Sequence, residues 1–280
     1  IGYTWADPFR GDRVNEVLSS GEQMDMDDMR ALQVDYLSLP ARTLVPYLQN
    51  LSFAAKAAEA QKRLDGWDYR LEPNSVEAAI YVAWENEIRA LSREKFIPQE
   101  IKDVITYIQL KRVIDWIESP DSKFGANPEK GRDQFLSEAF IKAIDRLENQ
   151  LGPDMNNWHY GQEKFKHTYM EHALSEAVDQ QTRKELDLGP LPRGGNSYTP
   201  GSTGGNNRQS SGGSFRMIVN TGDWDAAIGT NGPGQSGNPD SPFYSNLFEP
   251  WAKDQYFPVY YSREKIDSVA VNSYVLKPKK

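Results

Sequence analysis

Residues 229–237 read GTNGPGQSG, and the last six letters satisfy the pattern G-x-G-x-x-G. Glycines at that spacing can cradle a dinucleotide pyrophosphate, provided a strand leads into them and a helix N-terminus begins at them. Here they are followed by Asn238-Pro239-Asp240-Ser241-Pro242, and prolines that close together forbid a helix running straight out of the turn. No βαβ unit surrounds the stretch, and no acidic residue stands about 20 positions on at the end of a second strand. A structural turn is expected, with no bound cofactor.

The other chemistry-bearing residues are spare. The histidines are His159, His167 and His172; the last two are five apart, which puts them on different sides of a helix, and no HExxH occurs. There is no cysteine, so neither a disulfide framework nor a thiolate metal site is available. The acidic run Asp25–Asp28 lacks the glycine and spacing of a calcium loop. No metal ligands are therefore expected. No G-x-S-x-G elbow occurs, and the serines and threonines of 197–214 are those of a loop. Asp223 and Asp225 flank Trp224; paired carboxylates can do acid–base work, but in a turn they cap or accept from backbone amides. No self-sufficient active site emerges.

The elements that would position these residues are mostly helical. Asp7-Pro8 reads as N-cap and first helical residue of a helix over 8–19. Helices follow over MDMDDMRALQVDYL (24–37), from Leu39-Pro40 through Leu51, over 54–64, from Asn74-Ser75 through Leu91, and over 97–117 and 131–151. No fixed repeat period links them. Residues 189–213 are nearly all Gly, Pro, Ser, Thr and Asn, a long loop with almost no apolar surface to bury. Ser214–Asn220 then alternates bulky and polar positions as a strand, with Ala226–Ile228 as its neighbour across a Gly222-Asp223 turn. A short helix over 243–253 and a last strand over 269–276 complete the chain. The expected class is α+β: a helical segment over 1–188, the loop over 189–213, and a hairpin, helix and strand over 214–280.

The net charge of −8 argues against a nucleic-acid partner, and Lys277-Pro278-Lys279-Lys280 reads as a solvated tail. No run approaches the about 18 apolar residues of a membrane span, and no signal-peptide pattern opens the chain. The first residue is Ile1, not Met, as expected of a processed product or an excised piece.

The stretch SFRMIVNTGDWDAAIGTNGPGQSGNPDSPFYSNLFEPWAKDQYFPVYYS resembles the C-terminal signature of the penicillin acylase family of N-terminal-nucleophile hydrolases. Asn231, Pro233, Gly234, Gln235, Ser236, Gly237, Ser241, Pro242, Tyr244, Trp251, Tyr256, Pro258, Tyr261 and Ser262 fit it. Upstream, Leu32, Gln33, Asp35, Ser38, Ala41, Leu44, Pro46 and Leu48 resemble the family's helix pair. Gly66-Trp67-Asp68 with Ala78-Ala79 resembles its "WDG" segment with the glycine displaced. Trp158-His159-Tyr160-Gly161 through His167 and His172 is similar to a further segment. Phe243 and Asn246 depart from the His and Asp common in relatives. Matches run from about residue 3 to 276.

The resemblance implies part of an αββα fold and an amidohydrolase that cuts its own precursor into a small and a large chain. The large chain's first residue, usually Ser, attacks an amide carbonyl; its α-amino group, with a pKa near 7.7–8.0, is the base. A backbone N–H and an Asn form the oxyanion hole, and the acyl-enzyme is hydrolysed. This chain resembles the C-terminal part of the large chain, so those residues are expected before it and the piece alone is expected to be inactive. The implied partners are the remainder of the large chain and the small chain. The implied substrate is an N-acyl amide, either a β-lactam side chain or an acyl-homoserine lactone. Arg13, in Gly11-Asp12-Arg13-Val14, sits where the family places an arginine near the acyl site, and it is the one accessory catalytic position carried over. Its bland reading is a surface arginine on an amphipathic helix. Calcium ligands find no match, so a structural calcium would belong to the intact enzyme; a periplasmic or extracellular location is also implied. The rival reading is a non-enzymatic helical protein-interaction module.

Overall fold

Local capping chemistry starts most of the helices. In the computed structural model, which describes residues 5–204, 207–210 and 212–278, Pro8 is itself the cap of α1 (Phe9–Leu18) and no side chain caps that end. Asp25 opens α2 (Met26–Gln33), accepting from the amides of Asp27 and Asp28 at 2.8 and 2.9 Å. This helix stops before the expected Leu37 because the Asp35 carboxylate folds onto the amide of Leu37, 3.0 Å away, a turn that competes with helix. Ser38 then caps α3 (Leu39–Gln49), α4 (Ala55–Arg63) follows, and Ser75 caps α5 (Val76–Phe96).

The expected helix over 97–117 is mostly absent. A 3-10 turn at Gln99–Ile101 is followed by irregular chain until α6 (Leu110–Glu118). The β-branched residues Ile101, Val104, Ile105, Thr106 and Ile108 give helix little support. Arg93 completes the effect by donating to the carbonyls of Lys102 (2.7 Å) and Ile105 (3.1 Å), which helical hydrogen bonds would need. Asp7, expected to cap α1, serves α6 instead: its carboxylate accepts from the amides of Lys111 (2.8 Å) and Leu110 (3.3 Å) and from the Tyr107 hydroxyl (2.9 Å). Asn127 and Pro128 start α7 (Pro128–Leu151), one turn before the expected 131. Gly131 is required there, since a Cβ would lie 1.8 Å from the Phe124 carbonyl oxygen.

The chain divides into two compact units, one of Ile1–Glu22 and Leu32–Gly212, the other of Gln23–Ala31 and Gly213–Lys280. The first is built round α5 and α7. Burial on every side of α5 joins Tyr81, Trp84 and Ile88 to Phe140, Leu136 and Leu44, and the Trp84 indole donates to the Leu136 carbonyl at 3.2 Å. The same unit holds a small sheet of β1 (His167–Met170), β2 (Leu188–Pro192) and β3 (Arg208–Gln209), ordered β2-β1-β3, with β2 antiparallel and β3 parallel to β1. Near it lies the short helix α8 (Gln180–Leu186).

The Gly/Ser/Pro-rich stretch is not the loosely exposed loop its composition suggests. Arg193, Asn196, Thr199, Thr203 and Gln209 are buried, and Gly194, Gly195 and Gly201 press their backbones against the Tyr36 ring, where any Cβ would clash. Burial is achieved by pairing polar groups: the Thr203 hydroxyl donates to the Gly194 carbonyl at 2.7 Å, and Lys166 Nζ donates to the carbonyls of Thr203 and Gly204 at 2.8 and 2.9 Å.

The second unit carries an antiparallel sheet of β4 (Arg216–Asn220), β5 (Asp223–Thr230) and β6 (Phe257–Pro258), ordered β4-β5-β6. The hairpin falls where the sequence places it, with Asn220 opposite Asp223. α9 (Phe248–Ala252) provides the buried Phe248 and Trp251. The expected strand over 269–276 does not form. α10 (Arg263–Val269) runs into its start, and Val271, Tyr274, Val275 and Leu276 lie exposed without a neighbour among the described residues to complete a ladder.

Candidate functional site

Arg13 projects from α1 into a network of charges. Its Nε donates to Asp35 Oδ2 at 2.7 Å and its Nη1 to Glu16 Oε1 at 3.0 Å. Asp35, with its side chain only 5% exposed, also accepts from Arg70 Nη1 at 2.8 Å. A buried carboxylate thus sits between two guanidinium groups and one backbone amide, the arrangement that compensates for taking its charge out of water. Arg42 forks onto Glu16 with two bonds of 2.9 and 2.8 Å, and that contact holds the Glu16 carboxyl below the usual carboxylate range. Arg13 is therefore a fixed guanidinium, 18% exposed at its side chain, rather than a loose surface cation. Its chemistry is that of a donor fork for a carbonyl or carboxylate oxygen. Asp35 was visible in the sequence as part of the helix-pair motif; its partnership with Arg13, across 22 positions, was not.

Two amides of the glycine turn are spent inside the turn. The amides of Gln235 and Ser236 both donate to the Phe243 carbonyl, at 2.9 and 3.1 Å, so those donors cannot meet a ligand. A Cβ on Gly234 would lie 2.3 Å from that same oxygen, which is why glycine stands there. No helix begins until Phe248.

The remaining candidates resolve into structure. Asp225 accepts from the amides of Tyr261 (2.7 Å) and Ser262 (2.8 Å), and the Ser262 contact chiefly lowers its pKa; Asp223 accepts from the Asp225 amide at 3.1 Å. The histidines do not converge: His159 Nδ1 meets the Asn74 carbonyl at 3.1 Å, His172 Nδ1 accepts from the Leu174 amide, and His167 lies in β1. Among the described residues no group of three or more His, Asp or Glu side chains is placed to hold a metal ion. Nor does any serine or threonine hydroxyl among them donate to a histidine ring. Sequence reasoning missed Glu85, buried in α5 and accepting from the Tyr81 hydroxyl at 2.8 Å; burial pushes its pKa up to about 7. It also missed Lys166, whose burial brings its pKa down to about 7, with Arg193 adding to the effect. Hydrophobic periodicity carries no signal for buried polar groups.

The matching motifs serve as struts. Arg216 of the SFR strand donates to Asp254 Oδ1 at 2.6 Å and to the Trp251 carbonyl at 3.1 Å, while the Trp251 indole donates to the Gly213 carbonyl at 3.0 Å. Trp158 is wholly buried, its indole on the Gly152 carbonyl at 2.8 Å, and Tyr160 donates to the Gly195 carbonyl at 2.7 Å.

These elements define part of an N-terminal-nucleophile hydrolase fold, of mixed α+β class. The sequence profile of penicillin amidase matches residues 1–268, and the chain belongs to that family. It is similar to the acyl-homoserine lactone acylase QuiP of Pseudomonas fluorescens (strain Pf0-1), with 28% identity over 96% of this chain and 35% of that protein. It is similar also to the penicillin acylase 2 proenzyme of Pseudomonas sp. (strain SE83), with 27% identity over 97% of this chain and 35% of the relative. Among solved structures, the thermostable penicillin G acylase from Alcaligenes faecalis superposes with a TM-score of 0.54 at 14% identity, over all of this chain and 54% of that one. The chain spans about a third of the length of the curated relatives it matches. The family match runs through both the helical and the strand-bearing parts, which leaves the rival of a stand-alone interaction module without support.

Proposed function

We propose that this chain is the C-terminal portion of the large chain of an acylase that hydrolyses an N-acyl amide through an acyl-enzyme. The family supports acylase-type amidohydrolysis. The observation that carries the finer reading is the alignment of 96% of the chain onto only 35% of a relative. The attacking hydroxyl, its α-amino base and the oxyanion donors then belong to the remainder of the large chain. That remainder and the small chain are the partners, and periplasm or extracellular space is the location.

In this reading Arg13 is an accessory group. Its fixed fork, set by Asp35, hydrogen-bonds the catalytic asparagine or the substrate acyl portion supplied by the rest of the protein. The substrate is either a β-lactam side-chain amide or an acyl-homoserine lactone. The test is mass spectrometry of the full polypeptide quenched during turnover of a phenylacetyl amide and of a long-chain acyl-homoserine lactone. An acyl adduct on a residue outside this chain is expected with one of the two; an adduct within it, or none with either despite turnover, contradicts the reading.

A further inference from the structure

A cavity of about 220 Å³ opens between α5 and the irregular segment that precedes α6, lined by Asn86, Arg89, Arg93, Thr106, Tyr107 and Ile108. Its two cations stand four residues apart, on one face of α5. Both are fixed before any ligand arrives. Arg93 is held through Nε and Nη2 by the carbonyls of Ile105 and Lys102, and no carboxylate among the described residues pairs with it. The Arg89 guanidinium lies 5.0 Å from the centroid of the Tyr107 ring, and that ring is anchored by its hydroxyl on Asp7. Arg89 Nε is shut off from solvent and finds no hydrogen-bond acceptor among the described residues, so a ligand in the cavity would meet this guanidinium through its terminal nitrogens.

An unsatisfied, buried donor on a charged group is costly and calls for an explanation. The nearby carboxylates do not supply one. Asp7 is engaged with the N-terminal amides of α6, and Glu85, which interacts with the Arg89 charge through space, accepts its hydrogen bond from Tyr81. Like charges at i and i+4 also repel each other, a repulsion that an anion between them relieves. Asn86 and Thr106 add neutral hydrogen-bonding groups to the lining. The volume falls below the roughly 300–1,000 Å³ of pockets for drug-sized ligands, so the occupant is small.

We propose that this cavity binds a small oxyanion, a carboxylate or phosphate group, held between Arg89 and Arg93. Guanidinium groups fixed in advance match the paired oxygens of either group.

The test is calorimetric titration of the full polypeptide with inorganic phosphate and, separately, with acetate, the ionic strength being held constant with chloride. At least one of them saturates, with a Kd of about 1 mM or tighter. Saturation by phosphate alone assigns the phosphate class, and saturation by acetate assigns the carboxylate class. Arg89→Met weakens the binding roughly tenfold or more, as loss of a charge-assisted bond requires. Asn86→Asp, a change at a partly exposed position that brings a competing carboxylate to the lining, does the same and decides the matter should Arg89→Met fail to fold. The proposal is overturned if neither anion saturates, or if a folded variant binds like the parent.

Discussion

Asp35 is the residue through which the charge network is organised. Replacing it with Asn would leave the partly exposed Arg13 and Arg70 facing a buried neutral amide. Breaking a buried pair in this way costs on the order of 3 kcal/mol, and the Asp35→Asn variant is expected to melt correspondingly earlier in thermal unfolding. Arg13→Lys separates scaffold from catalysis. It keeps the charge but loses the fork, so an accessory Arg13 predicts a fall in kcat/KM of about tenfold or more, beyond whatever loss of folded fraction the weakened Asp35 contact brings. Activity that merely tracks the folded fraction would make Arg13 a strut. Glu85 makes a pH-dependent prediction. Its folded pKa of about 7 exceeds its ordinary value of 4.5, so folding favours the protonated form. The stability that this group contributes is then full below about pH 4.5, is lost as pH rises through 7, and levels off above it, a loss on the order of 3 kcal/mol. Glu85→Gln keeps an acceptor for Tyr81 and removes that slope. The variant should gain in melting temperature over the parent at pH 8 and not at pH 4.5.

At the scale of elements, the same contacts explain what the sequence could and could not reveal. Ser38 and Ser75 lie next to the helices they cap, and those starts were legible from neighbouring letters, whereas the start that Asn127 caps was placed one turn late. Asp7 caps a helix a hundred positions away, and Arg93 claims carbonyls that a helix over 97–117 would have used. Both are tertiary choices with no local signature. The polar burial of 193–209 was hidden for a related reason: glycines packed on Tyr36 and hydroxyls paired with carbonyls look, letter by letter, like a solvated loop. The Arg13–Asp35 pair was half legible, since both residues stood in motifs but their meeting did not. Two substitutions test this level. Asp7→Ala should cost about 1 kcal/mol, as loss of a helix cap does, and should raise amide hydrogen exchange in the first turn of α6 more than elsewhere. Gly234→Ala should cost about 1–3 kcal/mol, because its methyl group meets the Phe243 and Tyr244 carbonyls and the turn must open to admit it.

At the scale of the whole molecule, the second unit keeps apolar side chains in water. Phe215, Met217 and Val219 are exposed at alternate positions along β4 and its approach, as are Trp224, Phe243 and the residues of 271–276 already described. Apolar surface of that kind, beside an edge strand, marks an interaction face. In the proposed assembly the remainder of the acylase covers it. No helix among the described residues is long and apolar enough to cross a membrane. The central claim is that this chain scaffolds an amide-cutting centre whose nucleophile lies elsewhere in the protein. Its most direct test is to assay the purified 280-residue chain beside the full polypeptide, on a chromogenic phenylacetyl amide and a long-chain acyl-homoserine lactone. The account predicts turnover of at least one substrate by the full polypeptide and of neither by the chain alone. Turnover by the chain alone, or none by the full polypeptide, would contradict it.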